Sequence, residues 1–207
     1  MHWCSTGAFA FVPVHAAGIY DGNEPECCAD YVVSSYTPTL TALLRAQQTP
    51  CTFVPQQVSL LAIAVETSPG MPRLACVTEE AKDVADIVSV KGASCNSGGG
   101  MMTKPELIAS LESANMVHLA CHGIQHRSEP HKSHFCLSSG KLTVSELMDI
   151  NFENSFFAFL SACETAKGDQ KHADEVVHLA ATMLFAGFKS VVATMWYMFP
   201  LPGVPHM

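Results

Sequence analysis

FFAFLSACETAKGD, residues 156–169, starts as an apolar run of strand length and turns polar immediately after Cys163, at Glu164 and Thr165. A short continuous apolar run suits a strand buried on both faces. A cysteine that only filled a core belongs inside such a run. One placed at its end is rigidly held and within reach of solvent, as a reactive thiol requires.

The pattern extends on both sides. Downstream, DEVVHLAATMLFAG (174–187) reads as a helix with Val176, Ala180, Met183 and Gly187 along one face, and SVVATMW (190–196) as the next strand. Upstream, VSLLAIAV (58–65) and MVHLACHG (116–123) are further strand-like runs, the second ending in a glycine. Between them TEEAKDVADIV (78–88) is opened by Thr78, with acids in its first turn to suit the helix dipole. A short strand is expected near 87–90, followed by a flexible glycine loop, NSGGGMM (96–102). Thr103 and Glu106 form a capping box for the helix in TKPELIASLES (103–113). FCLSSGKL (135–142) reads as a small hairpin and LTVSELMDI (142–150) as a short helix. Nearer the start, YVVSSY (31–36) reads as extended, with Thr37 capping a helix that has Pro38 at its first position. Strands alternating with helical crossovers of a dozen or more residues predict a mostly parallel sheet covered on both faces. The chain is expected to form a single domain, 1–207, with its core in 56–196 and an atypical tail, 197–207.

Composition limits the partners. Nineteen acids oppose eleven bases in 207 residues, a formal charge of −8, and no Lys/Arg cluster offers a nucleic-acid footprint. Only 14% of residues are charged, against about 25% on average, and 48% are hydrophobic, so either part of the surface is expected to face another domain or sequence is expected to be missing. Nine cysteines without a repeating spacing point to thiols in a reducing compartment rather than a disulfide framework. The first residues lack a basic leader and are interrupted by Pro13, and no run is long enough to span a bilayer. The expected location is the cytosol.

Ligand chemistry in parallel sheets sits beyond the carboxyl ends of the strands. His122 and Cys163 both fall there. An imidazole beside a thiol can take its proton, and Gly123, without a side chain, lets its N–H approach a substrate carbonyl; with the Cys163 N–H it would form an oxyanion hole. The plain alternative is two ordinary residues at strand ends. Cys121 adjoins His122 but shares the strand face of Val117 and Leu119, opposite His118, Ala120 and His122, and is expected in the core. The histidines 118, 122, 126, 131 and 134 with Cys121 and Cys136 offer no clean pair of pairs for zinc, so no metal site is assigned. Residues 98–100 are not a P-loop, because Thr103 precedes Lys104. Neither GxGxxG nor GxSxG is present. No cofactor is expected.

HLACHGIQH (118–126), KLTVSELMDINFENSFFAFLSACETAKGD (141–169) and DEVVHLAATMLFAGFKSVVATMW (174–196) together resemble the CHAT domain. This is the caspase-like cysteine peptidase domain often fused to tetratricopeptide repeats. VPVHAAGIYDG (12–22) and YVVSSYTPTLTALL (31–44) are similar to the start of CHAT domains, especially fungal-type ones. The resemblance implies a caspase-like three-layer α/β/α fold and endopeptidase chemistry, in a cell-death, defence or signalling context. His122 would be the general acid/base, Cys163 the nucleophile and the Gly123 N–H part of the oxyanion hole. Ser161 matches a position lining the specificity pocket. The implied partners are a protein or peptide substrate and a repeat-containing or sensor protein, with neither nucleic acid nor membrane. His122 and Cys163 are 41 positions apart (163 less 122), somewhat closer than the roughly 50 of caspases. After Trp196 the sequence YMFPLPGVPHM departs from the family, its prolines unsuited to a helix or central strand. The expected fold is therefore truncated at its C-terminal edge. The alternative function is a non-catalytic, peptidase-like interaction module.

Overall fold

The computed structural model describes residues 1–22, 26–48, 57–90, 93–99, 102–126, 129–150, 152, 155–162 and 179–194. Near the start, β1 (His2–Trp3) pairs in parallel with β4 (Ser35–Tyr36), and β2 (Gly18–Ile19) antiparallel with β3 (Glu26–Cys27). Only the end of 31–36 is therefore a strand. The helix that follows, α1, spans Leu40–Gln48. It begins later than Pro38 because Thr39, not Thr37, caps it. Ala42 N–H donates to Thr39 Oγ1 at 3.0 Å, while the Thr37 hydroxyl donates to the Thr39 carbonyl.

The core starts with β5 (Ser59–Ala64), α2 (Val77–Val90), β6 (Ser94–Gly99), α3 (Lys104–Ser113) and β7 (Met116–Ala120). A hairpin region follows: β8 (Gly123–Ile124), β9 (His134–Leu137), β10 (Gly140–Thr143) and α4 (Val144–Met148). The described part ends with β11 (Phe157–Ser161), α5 (Leu179–Ala186) and β12 (Ser190–Ala193). Five strands form one sheet in the order β12-β11-β7-β5-β6, every neighbouring pair parallel.

Two expectations are corrected. Residues 87–90 are not a strand but the last turn of α2. Val77, Ala81, Val84 and Val88 recur at helical spacing and pack together on the sheet. The stretch expected to be a glycine loop is largely an edge strand, since the ladder to β5 runs from Ser59↔Ser94 to Ala64↔Gly99. Backbone pairing at an edge needs no side chain, so glycines are tolerated there. The expected helix residues 174–178, Trp196 and the tail 197–207 lie outside the described residues.

Alternation along the strands builds two cores. Leu61, Ile63, Val65, Val117, Leu119, Cys121, Ala158 and Leu160 face α3, α4 and α5, joined by Leu107, Leu111, Leu147 and Met183. Leu60, Ala62, Ala64 and Ala120 face α2. The result is an α/β/α sandwich. Because the sheet is parallel, every strand's carboxyl end reaches the same rim. No helix among the described residues is long and apolar enough to cross a membrane.

Candidate active site

His122 stands two residues beyond the end of β7, at that rim, and is buried. Its Nε2 is 2.8 Å from the Pro72 carbonyl. A carbonyl only accepts, so Nε2 carries the hydrogen and Nδ1 is left as the basic nitrogen. Pro72 lies in the loop between β5 and α2. That loop is closed on itself by Leu74 N–H donating to the Glu66 carbonyl at 2.9 Å and by the Arg73–Glu66 ion pair. Gly70 turns it at φ +76°, a conformation that favours glycine. A backbone carbonyl thus orients the imidazole, and no residue type in the sequence announces it.

Gly123 opens β8 and is buried. Cys136 N–H donates to the His122 carbonyl at 2.7 Å. Gly123 and Phe135 therefore face each other between ladder rungs, as a non-hydrogen-bonded pair. The Gly123 N–H consequently points off the far edge of β8, away from β9, and is not spent on the hairpin.

Ser161 is the last residue of β11 and pairs with Ala120, the last residue of β7. Ala162 follows, buried, its carbonyl accepting from Thr194 Oγ1 at 3.2 Å just beyond β12. Cys163 lies outside the described residues. Cys121 sits in the α3-side core with Val117 and Leu119, the face to which alternation assigned it.

On the opposite face a polar group that the sequence did not single out is set among small apolar residues. His118 is 2% exposed and stacks on Phe159, with ring centroids 5.3 Å apart. Its Nε2 is 3.3 Å from Glu80 Oε1 on the first turn of α2, an ion-pair distance without hydrogen-bond alignment. Burial works against the ionisation of Glu80, but His118 and Ser161 outweigh that and hold the carboxyl below its ordinary range.

The remaining histidines of the 118–136 segment do not converge. His126 Nδ1 accepts from Glu129 N–H, and the Glu129 carboxylate gathers Lys132 at 2.6 Å with His126 and His131 each at 4.0 Å. Among the described residues no group of His, Cys, Asp and Glu is arranged to hold a metal ion. A cleft of about 140 Å³ lined by Ser59, Ser94, Cys95 and Ser110 lies at the amino ends of β5 and β6. It is at the wrong end of the sheet to serve His122.

The family model described as the CHAT domain matches residues 2–199. No curated protein matches the chain. Among solved structures, the crystal structure of the Arg-specific cysteine proteinase gingipain R is similar, with a TM-score of 0.54 at 12% identity over 86% of this chain. The similarity spans 42% of that enzyme's length. At that identity the likeness is one of fold, and the fold is the caspase-like α/β arrangement.

Proposed function

This chain belongs to the CHAT domain family, and we propose that it is a cysteine endopeptidase in which His122 and Cys163 form the catalytic dyad. The observation that carries the reading is the strand register. Ser161 pairs with Ala120 at the ends of β11 and β7, and Cys163 and His122 each stand two positions further along their chains.

In this reading His122 Nδ1 takes the Sγ proton of Cys163, and the thiolate adds to the carbonyl carbon of the scissile bond. The Gly123 and Cys163 N–H groups receive the oxyanion. The imidazolium returns the proton to the departing amine as the C–N bond breaks, leaving a thioester. Water, deprotonated by His122, then releases the carboxylate and restores the thiol. Ser161 lines the pocket for the substrate side chain preceding the cut. The substrate is a protein or peptide, and the proposed setting is cell death, defence or signalling in the cytoplasm, under control of a repeat-containing or sensor protein.

The test is mass-spectrometric mapping of a peptidyl electrophile on the purified chain, with His122→Ala as control. Selective modification of Cys163, slowed by about 10²-fold or more in the control, is the expected result. Equal labelling in both proteins would leave an inert, peptidase-like module.

A further inference from the structure

β6 is an outer strand of the sheet, and its free side is unguarded. Ser94 N–H donates to the Val58 carbonyl at 3.0 Å, so Ser94 turns its backbone groups toward β5. Alternation then turns those of Cys95, Ser97 and Gly99 outward. Among the described residues nothing pairs with them. Sheet edges are ordinarily blunted by a proline, a charged side chain or a bulge. Ser94–Gly99 has no proline and no charge, and its ladder with β5 is unbroken from Ser59↔Ser94 to Ala64↔Gly99. Gly98 and Gly99 carry no side chain to fend off an incoming chain.

The cleft of about 140 Å³ at the amino ends of β5 and β6 lies beside this edge. Its walls include Ser59 and Ser94, partners across the ladder, and Ser110 and Ser113 at the carboxyl end of α3. Three of these hydroxyls already donate: Ser59 Oγ to the Ser113 carbonyl at 3.3 Å, Ser94 Oγ to the Val58 carbonyl at 3.3 Å, and Ser113 Oγ to the Ser110 carbonyl at 3.0 Å. A hydroxyl has one hydrogen, so what these three offer a ligand is lone pairs. The carboxyl end of a helix adds negative partial charge, and α3 has no basic residue in its last turn to answer it. The cleft therefore suits a compact, positively charged donor. Asn115 keeps it in shape, its Oδ1 accepting from Ser59 N–H at 2.8 Å and its Nδ2 donating to the Gln57 carbonyl at 3.0 Å.

We propose that β6 and this cleft together bind an extended peptide segment of a partner protein. The segment adds a sixth strand along β6 and places a lysine ammonium among the Ser59, Ser94 and Ser113 hydroxyls. In strand addition the main-chain bonds supply affinity, and a pocket for a side chain supplies specificity. Neighbouring strands lie about 4.8 Å apart, a spacing that the four-carbon stem of lysine crosses. Separate hydroxyl acceptors suit the three rotatable donors of an ammonium, whereas the planar fork of arginine matches a carboxylate. The site lies along the edge remote from β11, and its cleft is at the end of the sheet opposite His122, so it does not rest on the peptidase reading.

The probe is an acetylated, amidated octapeptide of alternating threonine and valine with one central lysine, titrated into the isotope-labelled chain. Amide exchange followed by NMR should slow at Cys95, Ser97 and Gly99, whose N–H groups point outward, and change little at Ser94 and Asn96, which already pair with β5. Norleucine in place of the lysine should weaken binding by about tenfold or more, the scale of a hydrogen bond to a charged group. Ser113→Lys sets a positive charge at the end of α3, at a hydroxyl that donates only within its own helix. It should weaken the lysine peptide by a similar factor and spare the norleucine peptide. Methylating alternate backbone nitrogens of the lysine peptide, in the register that faces β6, should abolish binding without altering the protein. Unchanged exchange at the three outward amides, protection elsewhere on the chain, or undiminished binding of the peptide methylated in either register would overturn strand addition. Equal affinity for the lysine and norleucine peptides, or wild-type affinity in Ser113→Lys, would overturn the lysine subsite. Butylamine binding as tightly as the octapeptide would assign the cleft to free amines and overturn the peptide. None of these readouts passes through the proposed dyad.

Discussion

At Cys121 burial decides the chemistry. The side chain is 2% exposed, and desolvation first, then the neighbouring Cys136, push its thiol far above the ordinary range. Only a thiolate alkylates. Iodoacetamide at pH 8 is therefore expected to modify exposed Cys4 and leave Cys121 untouched until denaturant is added, a difference that peptide mapping resolves. Modification of both at one rate would take Cys121 out of the core. This distinction was readable from the sequence, because face alternation along a strand needs only counting from Val117. The partners of the site were not readable. Pro72 acts through a carbonyl that every residue possesses. Glu80 was one of two acids in a helix first turn, which the helix dipole explains equally well. That Glu80 turns toward His118 while Glu79 is exposed depends on how α2 is rotated on the sheet, and a tertiary rotation leaves no local signature.

Elements were legible where side chains act on their own backbone. The Thr103–Glu106 box expected from the sequence opens α3, the Thr103 N–H donating to the Glu106 carboxylate, and a second box not read there, Thr143 with Glu146, opens α4. Glu146 N–H donates to Thr143 Oγ1, and Thr143 N–H to the Glu146 carboxylate. Thr143→Ala should cost about 1 kcal/mol of stability, measured as a lower urea midpoint with unchanged slope; an unmoved midpoint would show that α4 is held by packing alone. The end of α5 is a Schellman turn: Phe188 N–H donates to the Met183 carbonyl and Gly187 N–H to that of Leu184. Gly187 has φ +130°, and a Cβ there would stand 3.2 Å from both Cβ and the carbonyl oxygen of Phe152. Gly187→Ala combines backbone strain with this crowding, and a loss of about 1–3 kcal/mol is expected in the same assay. A neutral substitution would contradict the turn. Elements were misread where tertiary pairing overrides composition. Ser94–Gly99 is a strand because β5 offers it a ladder, and residues 87–90 stay helical because Val84 and Val88 find the apolar face of the sheet. Neither partner is visible within the local window.

Over the whole molecule the carboxylates shape the response to acid. Backbone and side-chain bonds from Thr103 hold Glu106 below its ordinary range, and Lys132 does the same for Glu129. At Glu146 burial opposes ionisation, but Lys104 and Thr143 prevail. A depressed carboxyl stabilises the fold above its unfolded value and loses that contribution as pH falls through the folded one. Stability should therefore be flat from neutral pH to about 5 and decline below about 4. Glu146→Gln, which keeps the capping box but removes the charge, should make that decline shallower; identical pH curves would assign it to other groups. The distribution of burial makes a second demand on the molecule. Among described side chains every buried apolar residue lies at Val58 or beyond, whereas Phe9, Tyr31, Val33, Leu40 and Leu44 are more than half exposed. Hydrophobic stabilisation scales with apolar area removed from water, so residues 1–48 contribute little of the core's cohesion. A chain beginning at Gln57 should unfold in one cooperative transition, with a urea slope lowered only in proportion to the surface deleted. Its midpoint should stay close to that of the full chain. A broad transition, or a midpoint displaced by more than the Gly187→Ala variant displaces it, would mean that the deleted residues contribute to the cohesion of the sandwich.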